Sequence, residues 1–251
     1  MDDGMLRERL WQGFARLQTL LGGQAAGGAI VEDHGVVASF VPAAPDSPTL
    51  NAAIALAAGL DPAVLDALGR RYDDIGIRRW GVWTDGTRRA VVRTLHSAAM
   101  RLTASSPGMG AEIADLRLNG RGPAGPADLA TVGRVNDLAY GNPDSRLERT
   151  LAPLPTGLLH AYRADVDGRP ASVALALYHG EDCGVSFVAT APHARRQGLA
   201  TGVMHRVALD AGAAGCTTTT LQATALGEKL YKALGYRKVS EMQLWEPRRE
   251  R

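Results

Sequence analysis

The chain has 251 residues, of which 45% are hydrophobic and 22% charged, with a formal charge of +2 at pH 7. That length can bury a sizeable core in one large or two small domains, so no disulfide scaffold is needed; the two cysteines, Cys183 and Cys216, form no CxxC pair. Residues 1–117 hold 12 Lys+Arg against 13 Asp+Glu and the remainder 16 against 13, without the basic excess of a dedicated nucleic-acid binder.

The start, residues 1–12, mixes acids with bases and lacks the apolar core of a signal peptide. No run of about 18 apolar residues occurs, so the expectation is a soluble cytoplasmic protein that neither spans a membrane nor binds nucleic acid.

Leu6, Leu10, Phe14, Leu17 and Leu21 recur at steps of three and four and predict a helix over residues 5–21. The glycine-rich stretch 22–28 reads as a flexible loop; it lacks the Lys-Ser/Thr ending of a phosphate loop. Two strands are expected over 28–41 around the Asp33–His34–Gly35 turn, and a prolyl surface loop follows. Residues 50–58 read as a buried strand. Asp61–Pro62 opens a helix, with Asp as N-cap and Pro at the first helical position; Val64, Leu65, Leu68 and Tyr72 give its buried face. A strand at Arg79–Thr84, a helix at Thr87–Met100 and a turn at Pro107–Gly108 complete the first half.

Residues 119–126 form the clearest linker, with six of eight positions Gly, Pro or Asn. Helices follow at Asp128–Tyr140 and Asp144–Leu151. Three strands come next, at Gly157–Asp165, Pro170–Tyr178 and Cys183–Thr190, joined by the Asp167–Gly168 and Gly180–Asp182 turns as an antiparallel meander. Leu199, Val203, Val207 and Ala211 mark a helix face, Cys216–Ala223 a β-branched strand, and Leu226, Leu230 and Ala233 or Leu234 the core face of a last helix closed by Gly235. Tyr236–Glu246 reads as a final hairpin. The second half thus runs ααβββαβαβ, an α/β fold with a mixed sheet.

The chemistry concentrates at residues 188–200. A strand ends at Thr190, Pro192 prevents its continuation, and two arginines and a glycine precede an amphipathic helix. The first amides of a helix lack internal partners, and the dipole adds positive potential. Gly198 allows close approach to the backbone, and Arg195 and Arg196 can add charge-assisted contacts. The stretch suits a pyrophosphate, and it follows neither the GxxxxGK[ST] nor the GxGxxG pattern. Cys183 and Cys216 lack a nearby His–Asp signal and read as buried structural thiols. The six histidines show no HxxxH or HExxH spacing, so no metal site is expected.

Arg195-x-x-Gly198-x-Ala200, after a strand and Pro192, resembles the (Q/R)xxGx(G/A) loop of the GNAT N-acetyltransferase superfamily. Leu221 through Tyr236, containing Leu-Tyr-Lys-Ala-Leu-Gly-Tyr, resembles that family's closing helix. Tyr231 lies 31 residues beyond Ala200 with a strand between, and the resemblance covers residues 113–247. One departure is Thr224, which stands where many members have Asn seven positions before the tyrosine.

The resemblance implies acetyl-CoA, or another short acyl-CoA, lying in a V between splayed parallel strands at 183–190 and 216–223. Val188, Ala189, Thr190, Arg195, Arg196, Gln197, Gly198, Leu199, Ala200, Thr201 and Thr224 would line it, with the amide near Val188 polarising the thioester carbonyl. Tyr231, at the family's acid position, would protonate the leaving thiolate, and an amine would attack directly. The base stays open among Glu181, Asp182, His160 and His179; the tail Pro-Arg-Arg-Glu-Arg argues against the terminal carboxylate. The expected partner is a small-molecule amine, and homo-oligomerisation is compatible with the sequence. The alternative is a non-catalytic acyl-CoA-binding sensor.

The order of elements in residues 1–117 echoes the second half. The expectation is therefore two tandem GNAT-like domains, 1–117 and 118–251, each a mixed, mostly antiparallel sheet with a splayed parallel pair flanked by helices. Gly59-Leu-Asp-Pro62 follows the strand at 50–58 without an Arg-x-x-Gly-x-Gly/Ala loop, so the first domain is expected to be degenerate and to hold no CoA.

Overall fold

The computed structural model describes residues 1–25, 27–118 and 123–248. In chain order its elements are α1 (Asp3–Gln24), β1 (Ala29–Asp33), β2 (Val36–Phe40), β3 (Ala52–Ala55), α2 (Pro62–Asp74), β4 (Gly81–Asp85), α3 (Arg89–Ser97), β5 (Met100–Glu112), β6 (Ala124–Pro126), α4 (Leu129–Tyr140), α5 (Arg146–Leu151), β7 (Leu159–Val166), β8 (Arg169–His179), β9 (Asp182–Thr190), α6 (Leu199–Ala213), β10 (Thr218–Gln222), α7 (Ala225–Leu234) and β11 (Arg237–Pro247). Single 3-10 turns lie at Ile113–Asp115 and Pro192–Ala194.

These elements make two compact units, each discontinuous in sequence. The first comprises Met1–Gly13 with Gly108–Val239, and the second Phe14–Pro107 with Ser240–Arg251. The division read from the sequence, after residue 117, follows composition; the units follow pairing. The end of β5 lies beside β10, with Gly108 opposite Gln222 and Glu112 opposite Thr218. The end of β11 lies beside β4, with Met242 opposite Asp85 and Trp245 opposite Val82. Each half of the chain therefore contributes its last strand to the sheet that begins in the other half.

In the first unit the strands run β5-β10-β9-β8-β7-β6. β7, β8 and β9 form the expected antiparallel meander, and β9 and β10 are parallel. The β7–β8 turn places Asp167 and Gly168 at φ 51° and 74°, the twist a two-residue hairpin needs. Helix α6 buries Leu199, Val203, Met204, Val207 and Ala211 against Ala174, Ala176, Cys183, Val185 and Leu221. At about 1.5–3 kcal/mol per fully buried aliphatic side chain, this face carries much of the unit's stability. The opposite face of β9 and β10 is polar: Asp182, Ser186, Thr218 and Thr220 alternate with the buried Cys183, Val185, Thr219 and Leu221.

In the second unit the strands run β1-β2-β3-β4-β11, with only β3 and β4 parallel among the registered pairs. Phe40, Leu65, Leu68, Tyr72, Val82, Val91, Leu95 and Trp245 form its core. Asp61 accepts a hydrogen bond from the Ala63 amide at 2.8 Å, the cap expected for α2.

Several boundaries differ from expectation. Helix α1 continues through Gly22 and Gly23: a Cβ at Gly22 would lie 2.7 Å from the Ala29 carbonyl, so this glycine serves close packing of the β1 backbone. Pro107–Gly108 is no turn but the middle of β5, and Met100 begins that strand instead of ending α3. Pro107, which has no N–H, stands immediately before the first residue paired with β10. Of the linker, 119–122 lie outside the described residues, while Ala124–Pro126 forms the short edge strand β6 against β7. Residues 237–247 are one strand, not a hairpin, since no turn-forming pair interrupts Val239, Met242 and Leu244. Leu226, expected in the core, is 90% exposed; the buried side chains of α7 are Tyr231 and Leu234.

Candidate active site

The parallel pairing of β9 with β10 runs from Asp182–Thr218 to Val185–Leu221 and stops there. Beyond that point β9 continues to Thr190 beside β8 alone, while β10 ends at Gln222. The two strands are therefore no longer paired at their C-terminal ends, where the resemblance expects a V. A bulge in β9 accompanies this end of the pairing: Leu175 faces Ser186 and Val173 faces Ala189, so Phe187 and Val188 together stand opposite Ala174. Phe187 takes φ 53°, a left-handed conformation that costs a bulky residue about 1–2 kcal/mol.

Three side chains hold the carbonyls of this segment. Asn136 of α4, 8% exposed, donates from Nδ2 to the Phe187 oxygen at 3.5 Å. The Ser172 hydroxyl donates to the Ala189 oxygen at 3.2 Å and lies 2.9 Å from the Thr190 hydroxyl. Arg195 donates from Nε to the Thr190 oxygen at 3.2 Å and from Nη2 to the Ala139 oxygen at 2.8 Å. Arg195 thus ties the loop to its own strand and to the end of α4. Of the two arginines read as anion contacts, it is the one whose guanidinium already has backbone partners. Asn136 and Ser172 were missed in the sequence, where their only signal is a polar residue among buried apolar neighbours.

After Pro192–Ala194 the backbone turns through Arg196 at φ 63° and Gly198 at φ 78° into α6. Gly198 is the N-cap, provides no side-chain cap, and has open space where a Cβ would stand. The Gly202 amide makes a bond to the Gly198 oxygen at 3.0 Å, so those of Leu199, Ala200 and Thr201 precede the helical ladder and face outward with the positive end of the dipole. Arg196, Gln197 and Gly198 are exposed, and Thr201 is half-buried. Exposed amides at a helix start favour an anion.

Helix α7 starts at the end of β10. The Thr224 hydroxyl accepts from the Gly227 amide at 3.1 Å, so it serves as the helix cap. Tyr231 is 6% exposed, packs edge-on to Tyr236 with ring centroids 5.8 Å apart, and has a hydroxyl bonded to no described residue. Burial pushes its pKa up, and the proximity of Tyr140 adds to the shift. The phenol is therefore fully protonated at neutral pH and able to donate.

Three of the four side chains considered as bases, Glu181, Asp182 and His179, lie at the end of β9 opposite the bulge. Asp182 opens β9, six residues before Val188, which is roughly 20 Å of strand. It is fully buried and accepts from the Thr218 and Thr220 hydroxyls, each at 2.6 Å. His179 lies beside it, with Nε2 3.3 Å from Asp182 Oδ2. Glu181 pairs with Arg9 at 2.7 Å. His160 stacks on Tyr178 at 4.1 Å. Cys183 and Cys216 are buried free thiols, and burial raises the pKa of both. Among the described residues no three or more of His, Cys, Asp and Glu assemble at metal-binding distance, and no helix is long and apolar enough to cross a membrane.

The corresponding place in the second unit is built differently. The parallel pairing of β3 and β4 stops at Ile54–Trp83, and α2 follows β3. There the helix start is capped by the Asp61 carboxylate and begins with Pro62, which has no amide to offer. Arg88 donates to the Ala55 and Ala57 oxygens at 2.7 and 3.1 Å.

The fold resembles that of solved acetyltransferases along almost its whole length. A GCN5-related N-acetyltransferase from Kribbella flavida superposes with TM-score 0.68 at 20% identity, covering 97% of this chain and 96% of its own. A GCN5-related N-acetyltransferase from Sphaerobacter thermophilus gives 0.54 at 13% identity, covering 84% and 80%. A conserved protein of unknown function from Staphylococcus epidermidis gives 0.62 at 11%, covering 86% and 92%. No curated protein matches the sequence. The architecture is therefore that of the GCN5-related acetyltransferases. Residues 158–238, from β7 to the start of β11, match the family model of the GNAT acetyltransferase domain.

Proposed function

We propose that the first unit is an acetyl-CoA-dependent N-acyltransferase that passes the acyl group directly to a small-molecule amine. The observation that carries this reading is the adjacency of the V past Val185 and Leu221 to the uncapped helix start at Gly198. The bound thioester supplies an activated acyl carbon. In this reading the amides of Leu199–Thr201 and the Arg196 side chain hold the pyrophosphate. The Val188 amide donates to the thioester oxygen as negative charge develops there. The amine nitrogen bonds to the acyl carbon, the C–S bond breaks, and Tyr231 gives its proton to the departing sulfur. The ammonium proton leaves to water, since Glu181, Asp182 and His179 stand at the other end of β9.

The second unit is, on the same reading, a degenerate GNAT-like repeat. In chain order β1-β2-β3-α2-β4-α3-β5 repeats β7-β8-β9-α6-β10-α7-β11, the last strand of each series joining the sheet of the other unit, and both series have a parallel pair at the third and fourth strands. The Asp61 cap, Pro62 and Arg88 disfavour an anion there.

The test is thiol release from acetyl-CoA across a panel of primary amines, with mass spectrometry of the amine. Acceptor-dependent release with one acetyl added to the amine supports the enzyme. Tight CoA binding with no acetylated amine supports the sensor alternative.

A further inference from the structure

We infer that Asn136 is a positioning residue that aims the Val188 amide into the V by holding the preceding carbonyl. This rests on the reading of the V as an acyl-CoA site. The observations belong to one peptide group. The Phe187 carbonyl and the Val188 N–H share a rigid trans plane and point in opposite directions. Asn136 Nδ2 bonds the carbonyl end, so the N–H end is turned away from α4.

Phe187 needs such a support. Its φ of 53° lies in a region that bulky residues occupy only where the surroundings enforce it. Ser172 and Arg195 fix the oxygens of Ala189 and Thr190, downstream of the strained residue. Asn136 alone among the described contacts holds the oxygen of Phe187 itself. Its side chain is buried, has no other partner among the described residues, and comes from a helix outside the segment 158–238. A polar amide buried on α4 is otherwise a cost of folding, offset here by a contact to one peptide of the bulge. Relaxation of that peptide would rotate the N–H out of line with the thioester oxygen, while leaving the pyrophosphate cradle at Gly198 untouched.

The experiment is isotope-edited infrared spectroscopy of acetyl-CoA carrying 13C at the thioester carbonyl, bound to the full chain. The variants are Asn136→Leu, which keeps the volume without a donor, and Asn136→Asp, which keeps the shape and replaces the donor by an acceptor. Calorimetric titration with CoA, which has no acyl carbonyl, runs in parallel. The expected result is a carbonyl stretch shifted to lower wavenumber on binding to the native protein and returned toward the free value in both variants, with CoA affinity within about twofold. The net worth of one hydrogen bond predicts a roughly three- to tenfold loss of acetyl-CoA affinity relative to CoA. A shift that persists undiminished in either folded variant overturns the role of Asn136 and leaves the site reading standing. Failure of the native protein to bind CoA at all overturns the site reading, and this inference with it.

Discussion

Replacing Gly198 by Asp places a carboxylate where the anion cradle is open. A Cβ at Gly198 meets nothing within 4 Å, so the side chain fits without a clash. The backbone cost is the φ of 78°, about 1–2 kcal/mol for an L-residue. A carboxylate at this helix start is itself favourable for the fold by a few tenths to 1 kcal/mol, which offsets part of the strain. Ligand binding meets a different balance. Two unit charges about 5 Å apart repel by roughly 3 kcal/mol at an effective dielectric constant near 20, and salt at 0.15 M, with a Debye length of about 8 Å, leaves roughly half of that. About 1.5 kcal/mol corresponds to a roughly tenfold weaker Kd. Gly198→Ala carries the strain without the charge and should lose less. Calorimetric titration of CoA into both variants, with melting curves of the free proteins as the folding control, measures the difference. Gly198→Asp with native affinity would refute the assignment of the cradle.

Tyr231→Phe should lower kcat by roughly 100-fold, the lower range for loss of a general acid, with little change in KM for acetyl-CoA; an unchanged kcat with chemistry rate-limiting would make Tyr231 a packing residue. Burial raises the Tyr231 pKa, so the rate of the native enzyme should show no loss from phenol ionisation as pH rises through 10, the ordinary tyrosine value. Asp128 accepts from the Thr131 amide at 2.6 Å, which lowers its pKa; its stabilisation is complete above the ordinary carboxylate pKa and is lost as pH falls through the depressed one. The Tm gap between native protein and Asp128→Ala should accordingly narrow below about pH 4, and a constant gap would contradict the cap. Residues 118–251 expressed alone lack Met1–Gly13 and Gly108–Glu112, which belong to the first unit; this fragment should show no cooperative melting, whereas a sharp transition would show that β10 does not need β5.

The parts legible in the sequence are those whose signals are local. Asp61–Pro62 and Asp167–Gly168 specify a cap and a turn by their own chemistry, and the step of four from Leu199 to Ala211 specifies a buried helix face. The helix start after Gly198 was readable because a proline-terminated strand followed by a glycine precedes a clear apolar helix face. Pairing partners left no such trace. Nothing in Gly108–Glu112 announces β10 as its neighbour, and Pro107–Gly108 carries turn chemistry that a long strand overrides. The face of α7 was misjudged because Leu226 follows the periodicity but lies in the first turn, where it remains exposed. The bulge was invisible for a related reason: Phe187 gives no local sign of a left-handed backbone, and the residue that holds it is 51 positions away.

Isothermal titration of acetyl-CoA into the intact chain tests the central claim most directly. One acetyl-CoA per chain is the expected stoichiometry, with the heat abolished or strongly weakened by Gly198→Asp. A stoichiometry of two would contradict the degenerate second unit, and no binding would contradict the acyl-CoA site altogether.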